Sequence, residues 1–393
     1  MRVLFFTHHY LDGNSGGSFA SRAYINAFAE IADSCMLMYP DRGIPIDQYI
    51  HKKCVLKGVG NNRNNIQKVV DIYNGRLHRY YDVMIPQIKE YKPDIVVFDN
   101  SRTTAGMLQA VKDLGVKTVT IHHNYEIEYY QGTKPFIAWR MAFMHYMEKA
   151  EGNAVRNSDL NLTLTEEDIQ LLQKHYDPEK KSKIAKLGSF ESAPVTETKK
   201  SDYDMHESRK NPNPNLCFAI TGTLGSFQTE VSVLPFLENI YPELLKILPN
   251  SKLIVAGRDP SAAMQETCAK YPSVLLVANP ENMQDIMTQA DVYICPTCVG
   301  GGLKLRVMDG FKAGLPVLTH AVSARGYEDF TKAKSMFVYE DKESFSKGLK
   351  TLLKELDKGN LNHDAVKKVY NSVFSFEAGV ARLRKILTDN QMI

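Results

Sequence analysis

Short apolar segments alternate with longer amphipathic segments along almost the whole chain. Val3–Thr7, Ile95–Asp99 and Val292–Cys295 are examples of the short segments, and Ser18–Ile31 and Lys342–Asp357 are examples of the long ones. A short, continuous apolar run suits a strand that is buried on both faces, and a long amphipathic segment between two such strands suits a crossover helix. The alternation therefore predicts an α/β fold of parallel sheets covered by helices.

The chain length predicts two domains. With 393 residues the chain is longer than one ordinary hydrophobic core supports. The alternating pattern stops at about residue 191, and Ser, Glu, Lys, Asp, Pro and Asn dominate as far as residue 213. We therefore predict a Rossmann-like domain over 1–190, a linker over 191–213, a second Rossmann-like domain over 214–372 and a C-terminal helix over 373–393. Ligands of such sheets bind beyond the carboxyl ends of the strands.

Charge, apolar content and cysteine pattern exclude several classes of protein. A net charge of only +3 argues against a general nucleic-acid binder. Apolar runs fall short of the roughly 20 residues that a membrane-spanning helix needs, and the short apolar start is not a signal peptide, so we expect a cytoplasmic protein. The cysteines are scattered, and Cys295 and Cys298 form a lone C-x-x-C without a second pair. We therefore expect reduced thiols and no metal site.

The region from His51 to Lys92 is locally basic, with nine Lys and Arg residues against three carboxylates. Two interpretations remain open. The first is a solvated helical face, and the second is contact with an anionic membrane surface or with a lipid-diphosphate acceptor.

The segment from Gly300 to Leu318 carries the clearest functional signal. Three glycines follow the strand predicted at Val292–Cys295, and a predicted helix with Lys304, Arg306 and Asp309 comes next. Glycines let backbone N–H groups approach a ligand closely, and the start of a helix adds partial positive charge. Such a loop suits a phosphate. A carboxylate one turn later suits sugar hydroxyls, so the segment predicts a nucleotide-sugar site.

This segment resembles the donor-binding motif of GT-B glycosyltransferases, in particular family four. Its members commonly read Gly-Ser-Gly-Thr-Lys-x-Lys-x-x-Glu-Ala-x-x-x-Gly-x-Pro-Val, and residues Gly300 to Val317 follow this form with Asp309 in place of the second glutamate. The resemblance implies that Asp309 contacts the ribose. It also implies a phosphate cradle formed by Gly301, Gly302, Leu303 and Lys304.

The chain departs from the family pattern at two points. The family's first glutamate, which usually touches the transferred sugar, falls at Gly301, so sugar identity and stereochemical course stay open. Relatives also carry a cation soon after the first strand of the second domain. Here Gly222 and Thr223 occupy that place, and Lys304, Arg306 and Arg258 are the nearest suppliers of positive charge.

The first domain carries further candidates at predicted strand ends. Gly16 and Gly17 open a helix after the first strand and resemble the family loop that faces the diphosphate. The resemblance implies that His122 lies by the transferred sugar, with His123 as the alternative, and Lys304 completes the catalytic candidates. A histidine that satisfies buried backbone groups is the competing interpretation. The acceptor-side candidates are Asn100, Arg102 and Glu126.

The resemblance implies an α/β enzyme of two Rossmann-like domains that face each other across a cleft, with the C-terminal helix crossing back to the first domain. It implies transfer of a sugar from a UDP- or GDP-sugar to a glycan or lipid-linked acceptor, in surface polysaccharide or glycoconjugate synthesis. Retention, metal independence and the absence of a cofactor are expected. Two alternatives remain: a sugar-nucleotide 2-epimerase of the same fold, and a non-catalytic glycosyltransferase-like subunit.

Overall fold

The computed structural model describes residues 1–13, 15–60, 66–67, 70, 81–104, 106–133, 140–193 and 215–393. The chain divides into two compact units. Unit 1 comprises Met1–Gln131, Pro135–Val195 and Val373–Ile393, and unit 2 comprises Gly132–Lys134 and Thr196–Ser372. Most of the predicted linker, residues 194–213, lies outside the described residues.

Unit 1 is built on a seven-stranded parallel sheet with the strand order β3-β2-β1-β4-β5-β6-β7. Its strands are β1 (Arg2–Thr7), β2 (Ser34–Pro40), β3 (Cys54–Val59), β4 (Ile95–Asp99), β5 (Lys117–His122), β6 (Leu160–Thr163) and β7 (Ile184–Lys186). Its first helices are α1 (Gly16–Ile31), α2 (Tyr81–Tyr91), α3 (Leu108–Lys112), α4 (Glu126–Thr133), α5 (Arg140–Asn157) and α6 (Glu166–Tyr176). Residues Val3–Phe6 and Ile95–Phe98 are fully buried, as strands in the middle of a covered parallel sheet should be.

Unit 2 is built on a six-stranded parallel sheet with the order β10-β9-β8-β11-β12-β13. Its strands are β8 (Cys217–Thr223), β9 (Lys252–Arg258), β10 (Val274–Ala278), β11 (Val292–Cys295), β12 (Val317–His320) and β13 (Met336–Tyr339). Its helices are α7 (Phe227–Pro235), α8 (Tyr241–Ile247), α9 (Ala262–Ala269), α10 (Met283–Met287), α11 (Leu305–Lys312), α12 (Ala321–Ala324), α13 (Glu328–Lys332) and α14 (Lys342–Asp357). Helix α15 (His363–Phe374) follows, and α16 (Phe376–Asp389) ends the chain.

The C-terminal helix α16 returns to unit 1. It packs against α1, and the Arg382 guanidinium donates to the carbonyl oxygens of Leu187 (2.5 Å) and Ser189 (3.3 Å). Gly379 faces the ring of Phe190 so closely that a Cβ would overlap it. The predicted fold class is confirmed: two α/β units of parallel strands, with the last helix packed on the N-terminal one.

The structure departs from the predicted elements in places. A single helix is predicted over Val231–Leu248, but α7 and α8 are separated there by a π-helical turn at Phe236–Ile240. Pro235 and Pro242 lie at this junction, and proline lacks the N–H that a continuous α-helix uses. Strand β3 is not predicted from the sequence. It lies at the edge of the sheet and exposes Lys57 and Gly58, so it has neither a long apolar run nor a clear alternation of apolar and polar residues.

Strand register brings particular residues to the carboxyl edge of each sheet. In unit 1, Thr7 pairs with Asp99, and Asp99 pairs with Ile121. In unit 2, Gly222 pairs with Gly257. Helices of the length and apolarity needed to cross a bilayer are not found in the part of the chain that the structure describes.

Candidate functional site

The triple-glycine loop of unit 2 connects β11 to α11. Gly300 has a φ of +84° and Gly302 a φ of +69°, and residues other than glycine rarely adopt this left-handed conformation. The side-chain amide of Gln228 donates to the Val299 carbonyl oxygen (2.8 Å) and lies where a Cβ on Gly300 would be. The backbone conformation of the loop therefore favours glycine at positions 300 and 302. Gln228, in α7, contacts the loop from a separate element.

Lys304 folds back onto this loop. Its Nζ donates to the carbonyl oxygens of Gly300 (2.7 Å) and Gly301 (2.6 Å). The Lys304 ammonium therefore lies directly on the glycine segment and keeps its positive charge there. Two of its three N–H donors are used by these carbonyl groups. Lys304 both shapes the loop and brings a cation to it.

Helix α11 starts directly after the triple-glycine loop. Lys304 is the N-cap of this helix, and its side chain makes no capping hydrogen bond. Within this turn the Val307 N–H donates to the Lys304 carbonyl oxygen (3.0 Å). The start of a helix carries partial positive charge, so it attracts an anion. The Tyr327 hydroxyl donates to the Lys304 carbonyl oxygen (2.8 Å) and holds the backbone at this point.

Arg306 reaches the end of β8. A Cβ built on Gly222 would lie 2.5 Å from the guanidinium carbon of Arg306, so only glycine leaves room for this side chain. On the neighbouring strand, Arg258 is exposed and places Nη2 3.5 Å from the Thr223 hydroxyl oxygen. Two guanidinium groups therefore lie at the carboxyl ends of β8 and β9: Arg258 ends β9 itself, and Arg306 reaches the end of β8, where the local sequence has no cation.

Asp309 is exposed on α11, one turn after the start of the helix. Its carboxylate is close enough to the buried Tyr293 to contribute to raising the pKa of that phenol, although burial is the larger cause. The Tyr293 hydroxyl forms a hydrogen bond of 2.9 Å with Thr221 at the end of β8. Asp309 thus has the exposure that a ligand contact requires, on the same helix as Arg306.

In unit 1, a second polar cluster lies at the carboxyl ends of β1, β4 and β5. Asp99 Oδ2 accepts hydrogen bonds from the hydroxyls of Thr7 (2.6 Å) and Ser21 (2.5 Å). Asp99 Oδ1 lies 2.5 Å from His123 Nε2. The ring of His9 lies 5.0 Å from the ring of His123. We call His9, Asp99 and His123 the histidine cluster.

Charge in the histidine cluster is unevenly distributed. Burial alone would raise the pKa of Asp99, but the adjacent His123 and the hydrogen bonds to the carboxylate hold that pKa below its usual value. Burial, and then His123, lower the pKa of His9 to about 3. His9 is therefore neutral at physiological pH, and Asp99 is an ionised partner for His123.

His122 and His123 have different surroundings. The side chain of His122 is fully buried, with Nε2 2.9 Å from Asn161 Oδ1 and Nδ1 3.8 Å from Glu151 Oε1. The side chain of His123 retains 8% exposure. Burial raises the pKa of Glu151, which also accepts a hydrogen bond from Tyr176 (3.1 Å). His122 thus belongs to an internal network, and His123 lies at the sheet edge.

The acceptor-side candidates are joined in one hydrogen-bonded network. The Asn100 amide donates to Glu126 Oε1 (2.7 Å), and Asn100 Oδ1 accepts from Arg102 Nε (3.2 Å). Arg102 Nε lies 3.9 Å from Glu126 Oε2. Although burial opposes it, the Glu126 carboxylate raises the pKa of the Arg102 guanidinium. The structure therefore brings Asn100, Arg102 and Glu126 together, with Glu126 buried and Arg102 partly exposed.

The glycine pair of unit 1 starts α1. Ser15 caps this helix by accepting a hydrogen bond from the Ser18 N–H (3.1 Å). A Cβ on Gly17 would overlap the ring of His9, so Gly17 allows the first turn of α1 to lie against the histidine cluster. Gly16 is the first residue of the helix. Residue 14, which precedes Ser15, lies outside the described part of the chain.

Several residues with a place in these sites were not predicted from the sequence. Asp99, His9 and Gln228 are examples. Of these, Asp99 could have been found from the sequence, because it is a carboxylate at the end of a buried apolar strand.

A metal ion has one candidate position among the described residues. His9, Asp99 and His123 place one ligand atom each within 4.8 Å of the other two. Two imidazoles and a carboxylate are a donor set that Zn²⁺ accepts. Asp99 Oδ1 and His123 Nε2 already form a hydrogen bond with each other, so a metal ion would have to replace it.

Part of unit 2 matches a known family. Residues 219–355, which include β8, β9, β11 and the triple-glycine loop, match the family described as "Glycosyl transferases group 1". No curated protein sequence matches the chain at a significant level.

Solved structures match over nearly the whole chain. A glycosyltransferase from Rickettsia africae ESF-5 is 14% identical, with a TM-score of 0.66 over 99% of this chain and 98% of the other. WaaG, a glycosyltransferase involved in lipopolysaccharide biosynthesis, is 18% identical, with a TM-score of 0.61 over 98% and 99%. HepE of Anabaena, solved with UDP, is 11% identical, with a TM-score of 0.67 over 99% and 100%. The predicted resemblance to GT-B glycosyltransferases is confirmed, and the chain has their fold.

Proposed function

We propose that this protein transfers a sugar from a nucleotide-diphosphate sugar, a UDP- or GDP-sugar, to a hydroxyl of a glycan or lipid-linked acceptor. The observation that carries the proposal is the convergence of Lys304, Arg306 and Arg258 on the carboxyl edge of the unit 2 sheet, beside the start of α11. A diphosphate leaving group develops negative charge in the transition state, and this edge supplies cations and N–H donors to stabilise it.

The donor contacts follow from this geometry. The diphosphate lies against the N–H groups of Gly301, Gly302 and Leu303, next to Lys304. Arg306 approaches it from α11 and Arg258 from the end of β9. Gly222 and Thr223 border it. Asp309 is exposed one helical turn away and accepts hydrogen bonds from the ribose hydroxyls. The UDP bound to HepE of Anabaena is a ligand of the same class.

Unit 1 supplies the groups that contact the sugar and the acceptor. His123, rather than the fully buried His122, has the exposure needed to hydrogen-bond a sugar hydroxyl. Asn100, Arg102 and Glu126 lie near the end of β4 and position the acceptor. Lys52, Lys53, Lys57, Lys89 and Lys92 are the described cations of the basic region, and a peripheral contact with an anionic membrane would bring the enzyme to a lipid-linked acceptor at the inner face of the cell membrane.

Catalysis needs no metal ion in this proposal, since fixed cations and backbone dipoles stabilise the leaving diphosphate. Retention of the anomeric configuration is proposed from the family resemblance. A role in surface polysaccharide or glycoconjugate synthesis is proposed from the same resemblance, and WaaG, a structural neighbour, acts in lipopolysaccharide biosynthesis.

A panel of UDP-, GDP- and dTDP-sugars tests the proposal in two stages. A thermal-shift screen identifies the nucleotide, because a ligand of the folded state raises the melting temperature. The preferred donor is then incubated with glycan and lipid-linked acceptors, and released nucleotide and glycosylated product are measured.

The outcomes separate the alternatives. Transfer with nucleotide release supports the proposal, and proton NMR of the new glycosidic bond reports retention or inversion. Interconversion of donor sugars without nucleotide release identifies an epimerase instead. Nucleotide binding without turnover on the panel, or no binding at all, favours the non-catalytic subunit.

A further inference from the structure

We propose that Asp99 is a positioning residue that fixes His123 in one tautomer, with the proton on Nε2 and the lone pair of Nδ1 directed to a substrate hydroxyl. This inference rests on the proposed function for the identity of the hydroxyl. The tautomer itself is a property of the protein alone.

The two carboxylate oxygens of Asp99 have different hydrogen-bond partners. Oδ2 accepts from the hydroxyls of Thr7 and Ser21, at 2.6 and 2.5 Å. Oδ1 faces His123 Nε2 at 2.5 Å. Because an ionised carboxylate can only accept hydrogen bonds, Nε2 must carry the proton in this contact. Neutral imidazole then has its lone pair on Nδ1.

The surroundings keep Asp99 ionised and its geometry constant. Asp99 is fully buried, at the end of β4 in the middle of the sheet, and Thr7 comes from β1 and Ser21 from α1. Three elements of the fold therefore hold one carboxylate. The His123 side chain is 8% exposed, and the rings of Tyr24 and His123 pack nearly perpendicular with their centres 5.8 Å apart, so the imidazole has little freedom to turn.

A fixed tautomer has a consequence for the ligand. Nδ1 without a proton accepts a hydrogen bond and cannot donate one, so its partner must be a donor, as a sugar hydroxyl is. A phosphate oxygen or a carboxylate would be repelled by the lone pair. The ionised Asp99 also stabilises positive charge on His123 if that hydroxyl shares its proton, which is the role of a carboxylate behind a catalytic imidazole.

Asp99→Asn should reverse the tautomer. The hydroxyls of Thr7 and Ser21 favour a carbonyl oxygen at the position of Oδ2, so the amide nitrogen of asparagine would face His123. An amide nitrogen donates, and Nε2 would have to accept, which moves the ring proton to Nδ1. The change is nearly isosteric and removes one negative charge.

The test is ¹⁵N NMR of the full chain labelled at its histidine rings. The His123 signals are assigned by their loss in His123→Gln. Protonated and unprotonated ring nitrogens have well-separated shifts and different couplings to the ring C–H protons. We expect the wild type to show a protonated Nε2 and an unprotonated Nδ1, and Asp99→Asn to show the reverse. Asp168→Asn is the matched control: Asp168 is a buried aspartate of the same unit that bonds to Tyr125 N and to Thr165, and its change should leave the His123 pattern intact.

Kinetics supply a second readout. Asp99→Asn should lower kcat about ten- to a hundredfold, as loss of a charge-assisted hydrogen bond does, while the Kd for the free nucleotide stays within about twofold of the wild type. Wild-type His123 with its proton on Nδ1 would overturn the inference even if Asp99→Asn fails to fold. An unchanged kcat in a folded Asp99→Asn enzyme with a reversed tautomer would also overturn it. A wild type with the expected tautomer but no transferase activity on any donor would leave the tautomer assignment supported and reject the proposed function.

Discussion

The guanidinium carbon of Arg306 lies 2.5 Å from the point where a Cβ on Gly222 would be. Gly222 ends the first strand of unit 2, and Arg306 belongs to the first turn of α11. The absence of a side chain at position 222 therefore allows a cation from another element to occupy the strand end. This arrangement supplies positive charge at a place where the local sequence, Gly222 to Gly225, has none.

Gly222→Ala should displace Arg306 and weaken nucleotide binding. The added methyl group would have to share space with a guanidinium group, and the side chain of Arg306 is the more mobile of the two. We expect the Kd for the preferred nucleotide diphosphate to rise about tenfold, with a much smaller change for the nucleoside monophosphate. Isothermal titration calorimetry measures both.

Gly348→Ala is the control for that substitution. Gly348 lies within α14, and the nearest atom to its Cβ position is 3.6 Å away, an ordinary contact. Alanine should therefore leave nucleotide affinity unchanged and stabilise the helix by about 0.5–1 kcal/mol. Equal affinities of the wild type and Gly222→Ala would remove Arg306 from the phosphate site.

Lys304→Met should weaken nucleotide diphosphate binding about ten- to a hundredfold, since it removes a charged donor from the triple-glycine loop. The same change frees the carbonyl oxygens of Gly300 and Gly301, so part of the loss would come from a less ordered loop. Calorimetry across increasing salt concentration separates the two effects, because only the charge contribution declines with salt. Lys246→Met, at a lysine that is 70% exposed, is the control and should bind like the wild type.

Asp309→Ala should reduce discrimination between ribonucleotides and 2′-deoxyribonucleotides. If the carboxylate accepts hydrogen bonds from the ribose hydroxyls, the wild type binds the ribonucleotide more tightly than its deoxy counterpart, and the variant binds both almost equally. Asp357→Ala, at an exposed residue of α14, should keep the wild-type ratio. A ratio unaffected by Asp309→Ala would show that the ribose lies elsewhere.

His122→Ala and His123→Gln should fail in different ways. His122 is fully buried beside Asn161 and Glu151, so its removal leaves polar groups unpaired and should cost about 1–3 kcal/mol of unfolding free energy. His123→Gln should lower kcat with little change in stability. Urea denaturation and steady-state kinetics on both variants check this. A stable and inactive His122→Ala enzyme would reverse the assignment.

Chelation should leave transferase activity unchanged, because Lys304, Arg306 and the start of α11 supply the charge that a metal ion provides in other enzymes. Activity before and after dialysis against EDTA is the measurement. The histidine cluster is the candidate metal position that could contradict this prediction. If EDTA abolishes activity, Zn²⁺ restores it and His9→Gln removes the response to Zn²⁺, a metal ion acts at His9, Asp99 and His123.

Much of the fold could be predicted because local patterns carry it. Apolar runs such as Ile95–Asp99 and Val292–Cys295 are strands at their predicted bounds, and the helix at Lys342–Asp357 is as well. Burial on both faces demands such runs wherever a parallel strand lies inside a sheet. Strands β3, β7 and β13 were not predicted. They lie at sheet edges, where a strand need not be buried on both faces and so need not be a continuous apolar run.

The triple-glycine loop and its helix also follow from local chemistry. Left-handed backbone at Gly300 and Gly302 favours glycine, and the amphipathic residues that follow form helix α11. Lys304 bonds to carbonyl groups only a few residues away, so its place in the loop is local too.

The amino-acid sequence by itself determined the parallel α/β architecture, the position of the triple-glycine loop and the candidates near it. Only the tertiary structure decided that His123 rather than His122 pairs with Asp99, and that Arg306 occupies the space beside Gly222. The physical reason is that these contacts join side chains from separate strands and helices. Their directions depend on strand register and on how each helix packs, and both are settled only when the distant parts of the chain meet.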